Sequence, residues 1–437
     1  MAKNSALKKI VKILILFLIF CAGIGGGYFL SHKEKIPNIS LPFPKNKYIS
    51  FLAEVYDVIQ NNYWEKISDD QLIKLYILGV QKITGQPLIT EPKNRKELTE
   101  TLRKAIKNLP RDEQKKEFSS QLADIVLANL QPSGRSRLYS LKQEIDLKNV
   151  IENRNPDVDQ YKVLDVPKNA SEEAIRKTYE EKTEELKKSA SPEAKQKLAE
   201  INKAFTILSD VDNKKTYDQS GVEPTMEYKL LRPDIFYLHI NKFSPTTLDE
   251  LFRVSEKVDK GNILDSLILD LRDNIGGAID GLPYFLGPFI GNEQYAYQFY
   301  HQGNREDFKT KIGWIQPLLR YKKTIVLINE NTQSSAELMA AVLKKYNVGV
   351  LIGTSTRGWG TVEKVFEIKQ QLDPNEKFSA FLVHRITLRD DGQPIEGRGV
   401  DPDINIKDPN WEQQLYSYFR YSEYAKVIKE IITAKSP

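Results

Sequence analysis

Ser334 is the residue whose neighbours best equip it to act as a nucleophile. It stands in "LINENTQSSAELMAAVLKKY", which reads as a strand, a short polar turn and a helix with Leu338, Val342, Leu343 and Tyr346 on one face. At such a strand-to-helix elbow, backbone N–H groups and the helix dipole stabilise an oxyanion. The same residues also have a purely structural use. Ser334 followed three positions later by Glu337 fits a capping box, in which the serine caps the helix and the glutamate reaches back. Downstream, "GTSTRGWGTVEK" ends a strand in a turn that holds Trp359 between Gly358 and Gly360, 25 positions after Ser334. Glycines at such a turn let backbone approach something closely. The indole at the tip is a hydrogen-bond donor with no lone pair to offer.

Two more stretches belong with these: "LILDLRDNIGG", a strand ending in a tight turn, and "DDGQPIEGRGVDPDI", which follows a long hairpin. The four, in this order and spacing, resemble the carboxyl-terminal processing (tail-specific) serine peptidases. The resemblance covers about residues 232 to 408 and extends more weakly to "FLAEVYDVIQNNYW". It implies Ser334 as nucleophile, and an oxyanion-hole N–H from Gly276 helped by that of Ser335. The family's general-base lysine falls at Trp359, and the polar residue that orients it at Glu363. Loss of a general base costs roughly 10²- to 10⁴-fold in rate. Glu363, Lys364 and His384 are near enough in sequence to be considered as substitutes. Two functions from different classes therefore stay open. One is a serine endopeptidase acting on unstructured or C-terminal protein segments with an unconventional base. The other is a catalytically inactive pseudopeptidase that holds peptides or a partner protein.

The elements that must position these residues are legible in outline. The chain has 437 residues, 40% hydrophobic and 28% charged, with a net charge of +5, a globular composition long enough for two or three domains. From about Asp234, short apolar runs such as "IFYLHI", "SLILDLR", "TIVLIN" and "GVLIG" alternate with helical segments. That pattern predicts a sheet covered on both faces. The resemblance makes this an α/β peptidase core of ClpP/crotonase-like type over residues 230–410, followed by a C-terminal helix in 411–437. Residues 36–150 read as a linker and an all-helical N-terminal domain, with Leu52, Val55, Tyr56 and Ile59 at helical spacing and a turn at "QPSGRSR".

Residues 155–222 form a second helical unit. "YKVLDVPKNASEEAIRKTY" and "AEINKAFTILSD" with "KKTYDQSG" closely resemble a J domain, with Ser171 as a helix N-cap. J domains carry His-Pro-Asp between their second and third helices; here that place reads Lys187, Lys188, Ser189. The unit is therefore expected to act as a spacer or to dock a protein partner. It stands where the peptidase family places a PDZ domain, and no glycine-rich carboxylate-binding loop is evident between residues 140 and 230.

Residues 1–35 predict a basic tail and a single transmembrane helix, with a cleaved signal peptide as the alternative, since residues 13 to 30 carry no charge and Lys3, Lys8, Lys9 and Lys12 precede them. The positive-inside bias places the body outside the cytoplasm. The one cysteine, Cys21, lies in this span, so the body has neither disulfides nor a thiol nucleophile. The four histidines (His32, His239, His301, His384) are scattered and no phosphate loop occurs, so no metal, cofactor or nucleic-acid partner is expected.

Overall fold

Period-two alternation sorts the strand residues of the core into two separate hydrophobic layers. Phe236, Leu238 and Ile240 point into one layer, while Ile235 and Tyr237 point into the other. The computed structural model describes residues 46–87, 91–189, 191–259, 264–420 and 422–433. The expected membrane anchor, residues 1–35, lies outside them, as does Cys21. Among the described residues no helix is long and apolar enough to cross a membrane.

The chain begins with four helices, α1 (Lys47–Asn62), α2 (Asp69–Thr84), α3 (Arg95–Lys107) and α4 (Asp112–Ala128). Their starts follow from the sequence: at α2 the Ser68 hydroxyl accepts the Gln71 N–H while the Gln71 side chain accepts that of Ser68. A short strand, β1 (Arg137–Ser140), and helix α5 (Leu141–Ile151) come next. The segment expected to be all helical thus also contributes a strand. It pairs antiparallel with the start of a strand far along the chain, Phe378–Leu388, and α1 to α4 share one core with that strand.

The J-like unit comprises α6 (Gln160–Leu164), α7 (Glu172–Lys187), α8 (Pro192–Ser209) and α9 (Val211–Ser220), around Tyr161, Leu164, Ile175, Ile201 and Leu208. Ser171 caps α7 by accepting the Ala174 N–H, as expected. Lys187 ends α7, and Lys188 and Ser189 follow it in the loop. Polar contacts tie the unit to the core: Arg253 donates to Asn213 (2.8 Å), Lys257 to Asp210 (2.9 Å) and Gln160 to the buried Glu223 (2.6 Å).

The core runs β2 (Met226–Arg232), β3 (Ile235–Ile240), α10 (Thr247–Asp259), β4 (Ser266–Asp270), α11 (Leu282–Ile290), β5 (Tyr295–His301), β6 (Asn304–Lys309) and α12 (Gln316–Leu319). It continues with β7 (Lys323–Ile328), α13 (Ser335–Lys345), β8 (Val350–Gly353), β9 (Thr361–Glu367), β10 (Phe378–Leu388), β11 (Ile404–Asn405), α14 (Trp411–Tyr418) and α15 (Ser422–Thr433). The main sheet has the order β11-β8-β7-β4-β3-β2, parallel except for the β2–β3 pair. Residues of α10, α11 and α13 cover one face, and α14 with α15 covers the other. A second sheet is built on the long β10: β1 and β5 lie along one edge and β9 along the other, with β6 beyond β5. The candidate site is built from the turns that follow β4 and β7 and the turn that leads from β8 of the main sheet to β9 of the second.

Candidate active site

The turn between β7 and α13 is held by its own polar side chains. Asn329 Oδ1 accepts the N–H groups of Asp273, Asn331 and Thr332 at 3.0–3.1 Å, and Thr332 Oγ1 donates to Leu271 O at 2.8 Å. Gln333 N–H donates to Asn274 O (3.0 Å), so this turn and the 271–277 turn are bolted together. Ser334 is held at φ 58°, ψ −126°, backbone angles that a non-glycine residue reaches only at a cost of roughly 1–3 kcal/mol. Its hydroxyl makes no side-chain cap bond to α13. Half of the expected capping box is nonetheless present, because Glu337 Oε2 accepts the Ser334 N–H at 2.8 Å.

Gly276 lies directly against the serine. A Cβ there would come within 2.6 Å of Ser334 Cβ and 3.1 Å of its Oγ, so only glycine fits. The Gly276 N–H, expected to serve the oxyanion hole, is taken: it donates to Asn274 Oδ1 at 2.8 Å. Asn274 is itself buried and fixed by donating to Ile240 O, so this pairing is built into the turn. The Ser335 N–H is not taken in this way. It stands at the first position of α13, where a helix offers no internal acceptor, and it makes no hydrogen bond among the described residues. The Ser335 hydroxyl anchors the helix start by donating to Gly277 O at 3.1 Å.

Glu337 is the organiser that a capping-box reading understates. Its buried carboxylate accepts four hydrogen bonds: from Ser334 N (2.8 Å), Thr356 Oγ1 (2.6 Å), Gly358 N (2.7 Å) and Trp359 N (2.7 Å). Burial pushes its carboxyl above the usual range, and the four donors pull the other way. One side chain therefore fixes the distance between the Ser334 elbow and the turn that carries Trp359. The glycines of that turn face backbone, as their type suggested. A Cβ on Gly360 would meet Glu396 N at 2.3 Å, and one on Gly358 would meet Arg398 N at 2.9 Å.

Trp359, at the position where the resemblance implies a base, is half-buried. Its Nε1 donates to Glu363 Oε1 at 3.3 Å, and Thr361 Oγ1 donates to the same oxygen at 2.5 Å. What Glu363 holds at residue 359 is therefore an indole N–H. The Arg135 guanidinium covers the ring at 3.5 Å from its centroid, and Arg357 lies 5.5 Å from it. Arg135 is fixed in turn by Glu396, which it meets at 2.9 Å and which also accepts the Gly360 N–H at 2.7 Å. Burial raises the Glu396 carboxyl while Arg135 lowers it.

The other two candidate bases are turned away. Alternation along β9 puts Lys364 on the opposite face from Glu363, where its Nζ lies over the Phe366 ring. His384 packs on His301 and Phe366 on that same face, and its Nδ1 is bonded to Asn62 O at 2.7 Å. Burial pushes its imidazole down to about 4. Arg135 and Glu396 were not legible as site residues: Arg135 sits in a polar "QPSGRSR" turn nearly two hundred positions before Ser334. Among the described residues, no group of three His, Cys, Asp or Glu side chains could hold a metal ion.

Residues 234–406 match the model of peptidase family S41, and residues 159–218 match that of the DnaJ domain. A probable CtpA-like serine protease of Staphylococcus epidermidis is 30% identical over 194 residues, 43% of this chain and 36% of the relative. The carboxy-terminal processing protease CtpA of Bacillus subtilis is 29% identical over 218 residues, 50% of this chain and 44% of the relative. The chain thus spans less than half the length of these two curated relatives. A solved photosystem II D1 C-terminal processing protease is 12% identical with a TM-score of 0.47, covering 83% of this chain and 94% of its own.

Proposed function

Starting from a chain whose residues 234–406 belong to peptidase family S41 and whose residues 159–218 form a DnaJ-type domain, we propose a polypeptide-binding homologue of the carboxyl-terminal processing serine peptidases with a severely impaired hydrolytic step. The observation that carries this reading is the indole at the base position. Trp359 Nε1 is a donor committed to Glu363, and its ring lies under Arg135. An indole N–H cannot take the proton of Ser334 Oγ, which is the step a general base accelerates, and the Glu363 carboxylate is engaged by Trp359 Nε1 and Thr361 Oγ1.

A slow hydrolase is the second reading, and one observation favours it. The strained Ser334 backbone is kept, together with a Ser335 N–H that has no partner among the described residues. Strain of this kind persists where its surroundings over-determine it and clusters at sites in use. Disordered casein, offered to the full chain and to Ser334→Ala, separates the two. The first reading predicts equal binding to both proteins and no Ser334-dependent fragments. Fragments made by the unmodified chain alone would move the case to the hydrolase.

The location is part of the proposal. The lysines before Ile13 should keep the N-terminus in the cytoplasm, with an uncleaved apolar anchor holding the body outside it. A reporter placed after Thr433 should then report an extracytoplasmic position, and a cytoplasmic signal would overturn this placement. The J-like unit, with Lys187-Lys188-Ser189 in place of His-Pro-Asp, is assigned to docking a protein partner rather than to stimulating a chaperone ATPase.

A further inference from the structure

Helix α5 lacks the packing that a helix of its length needs. It has 11 residues and none of them is buried. A helix this short is marginal in water by itself and is normally held by tertiary contact along an apolar face. Ser140 caps it, accepting the Gln143 N–H while the Gln143 side chain accepts that of Ser140, but a cap does not supply that contact. The apolar residues of α5 instead face outward. Leu141, Ile145 and Val150 are half exposed, and Ile151 is 38% exposed. Leu141 and Ile145 are one turn apart on the same side of the helix. A single exposed apolar side chain needs no explanation, but four on one unburied helix do.

What covers this face is indicated by where α5 begins. Phe51, one turn into α1, meets the ring of Phe378 with centroids 6.0 Å apart, and Phe378 is the register partner of Ser140. The Leu141 N–H extends the contact by donating to Lys377 O at 3.2 Å. A second set of contacts leads to the same place. Lys47 Nζ meets Asp112 at the start of α4 (3.1 Å), and one turn along α4 Lys116 meets Asp373 (3.2 Å) and Glu376 (2.6 Å), just before Lys377. The first residue of α1 and the first residue of α5 therefore lie at one end of the helical domain. Residues 36–45, which join the predicted anchor to that end, can span at most about 35 Å. A surface tethered so closely to lipid meets it at high effective concentration, so a modest apolar contact is enough to hold it there. Asp112, Asp373 and Glu376 are already paired with Lys47 and Lys116, which lessens their repulsion from anionic headgroups. The exposed neighbours Lys142 and Lys377 can lay their stems on apolar surface and keep their ammonium groups among the headgroups.

We infer that α5 lies on the lipid surface, with Leu141 and Ile145 entering the boundary between headgroups and acyl chains. This rests on the membrane-anchored placement proposed above and specifies which side of the body the bilayer meets. The contact is of the interfacial kind, in which a helix lies in the plane of the membrane and buries its apolar side shallowly. Because α5 joins β1 of the second sheet to the J-like unit, the contact orients both against the bilayer.

The test uses the full chain carrying Cys21→Ser, reconstituted into phosphatidylcholine/phosphatidylglycerol vesicles. A polarity-sensitive nitrobenzoxadiazole label is placed at Ile145→Cys or, as a reference, at Val211→Cys on the J-like unit, which is 74% exposed. Both positions are exposed, so the label displaces no packing. The label at 145 should emit at shorter wavelength than the label at 211. Lipids brominated near the headgroup end of the acyl chain should quench it at least about twofold, and leave the label at 211 unquenched. Adding Leu141→Glu should return the emission at 145 toward that at 211. A shift at 145 without quenching by brominated lipid would assign the face to a protein surface, and no shift would leave it in water. Either result overturns the lipid contact and leaves the anchor standing. Release of the chain from the vesicles by alkaline carbonate would remove the anchor and the contact with it.

Discussion

Glu337→Ala is expected to cost about 4 kcal/mol of folding stability and to release the Trp359 turn from the serine elbow. The substitution takes away the one acceptor for the N–H groups of Ser334, Gly358 and Trp359 and for the Thr356 hydroxyl. A buried donor left without a partner costs roughly 1–3 kcal/mol. Some of the four will recover water as the turn loosens, and relief of strain at Ser334 offsets a little more, so the total stays below their sum. Glu337→Gln keeps one acceptor oxygen and the shape, and should cost about half as much. Urea denaturation measures the loss, and hydrogen exchange at Gly358 and Trp359 locates it. A loss below about 1 kcal/mol with those two amides still protected would contradict the role given to Glu337.

How much of this the sequence held depends on the range of the interaction. Ser334, its helix and Glu337 are neighbours in the chain, so the elbow and the Glu337–Ser334 bond were legible from spacing. Gly358 and Gly360 announced a close backbone approach, and the partner proved to be the turn around Glu396 and Arg398. What spacing could not announce was contact across the fold. Arg135 lies in a turn that looks like a connector, yet its guanidinium covers Trp359 because β1 pairs with β10 and brings that turn beside β9. The same pairing explains why residues 36–150 read as all helical: a four-residue strand has no period of its own to detect. β9 and β6 were missed because "TVEKVFE" and "NREDFK" carry charges where a buried strand would be apolar. Gly276 lies beside Ser334, and the Asn274 side chain that takes its N–H is a local turn contact that no motif specifies. Lys364 and His384 failed as bases because alternation along β9 and packing against Asn62 decide where they point.

The central claim is that Ser334 is unactivated because residue 359 is an indole, and it is tested by how fast a fluorophosphonate labels Ser334. In Trp359→Lys alone, Glu363 would accept the new ammonium group and hold it charged, so little gain is expected. In Trp359→Lys/Glu363→Gln that carboxylate is gone, and Arg135, now the neighbouring cation, disfavours a second positive charge. The amine is then neutral over more of the pH range and can take the proton of Ser334 Oγ. Labelling of the double variant should exceed that of the unmodified chain by about a hundredfold or more. It should climb as pH rises through the amine pKa, because only the deprotonated amine is a base, and it should vanish when Ser334→Ala is added. The account predicts near-background labelling of the unmodified chain at every pH. Ser334-dependent labelling of the unmodified chain, as fast as in the double variant, would contradict it.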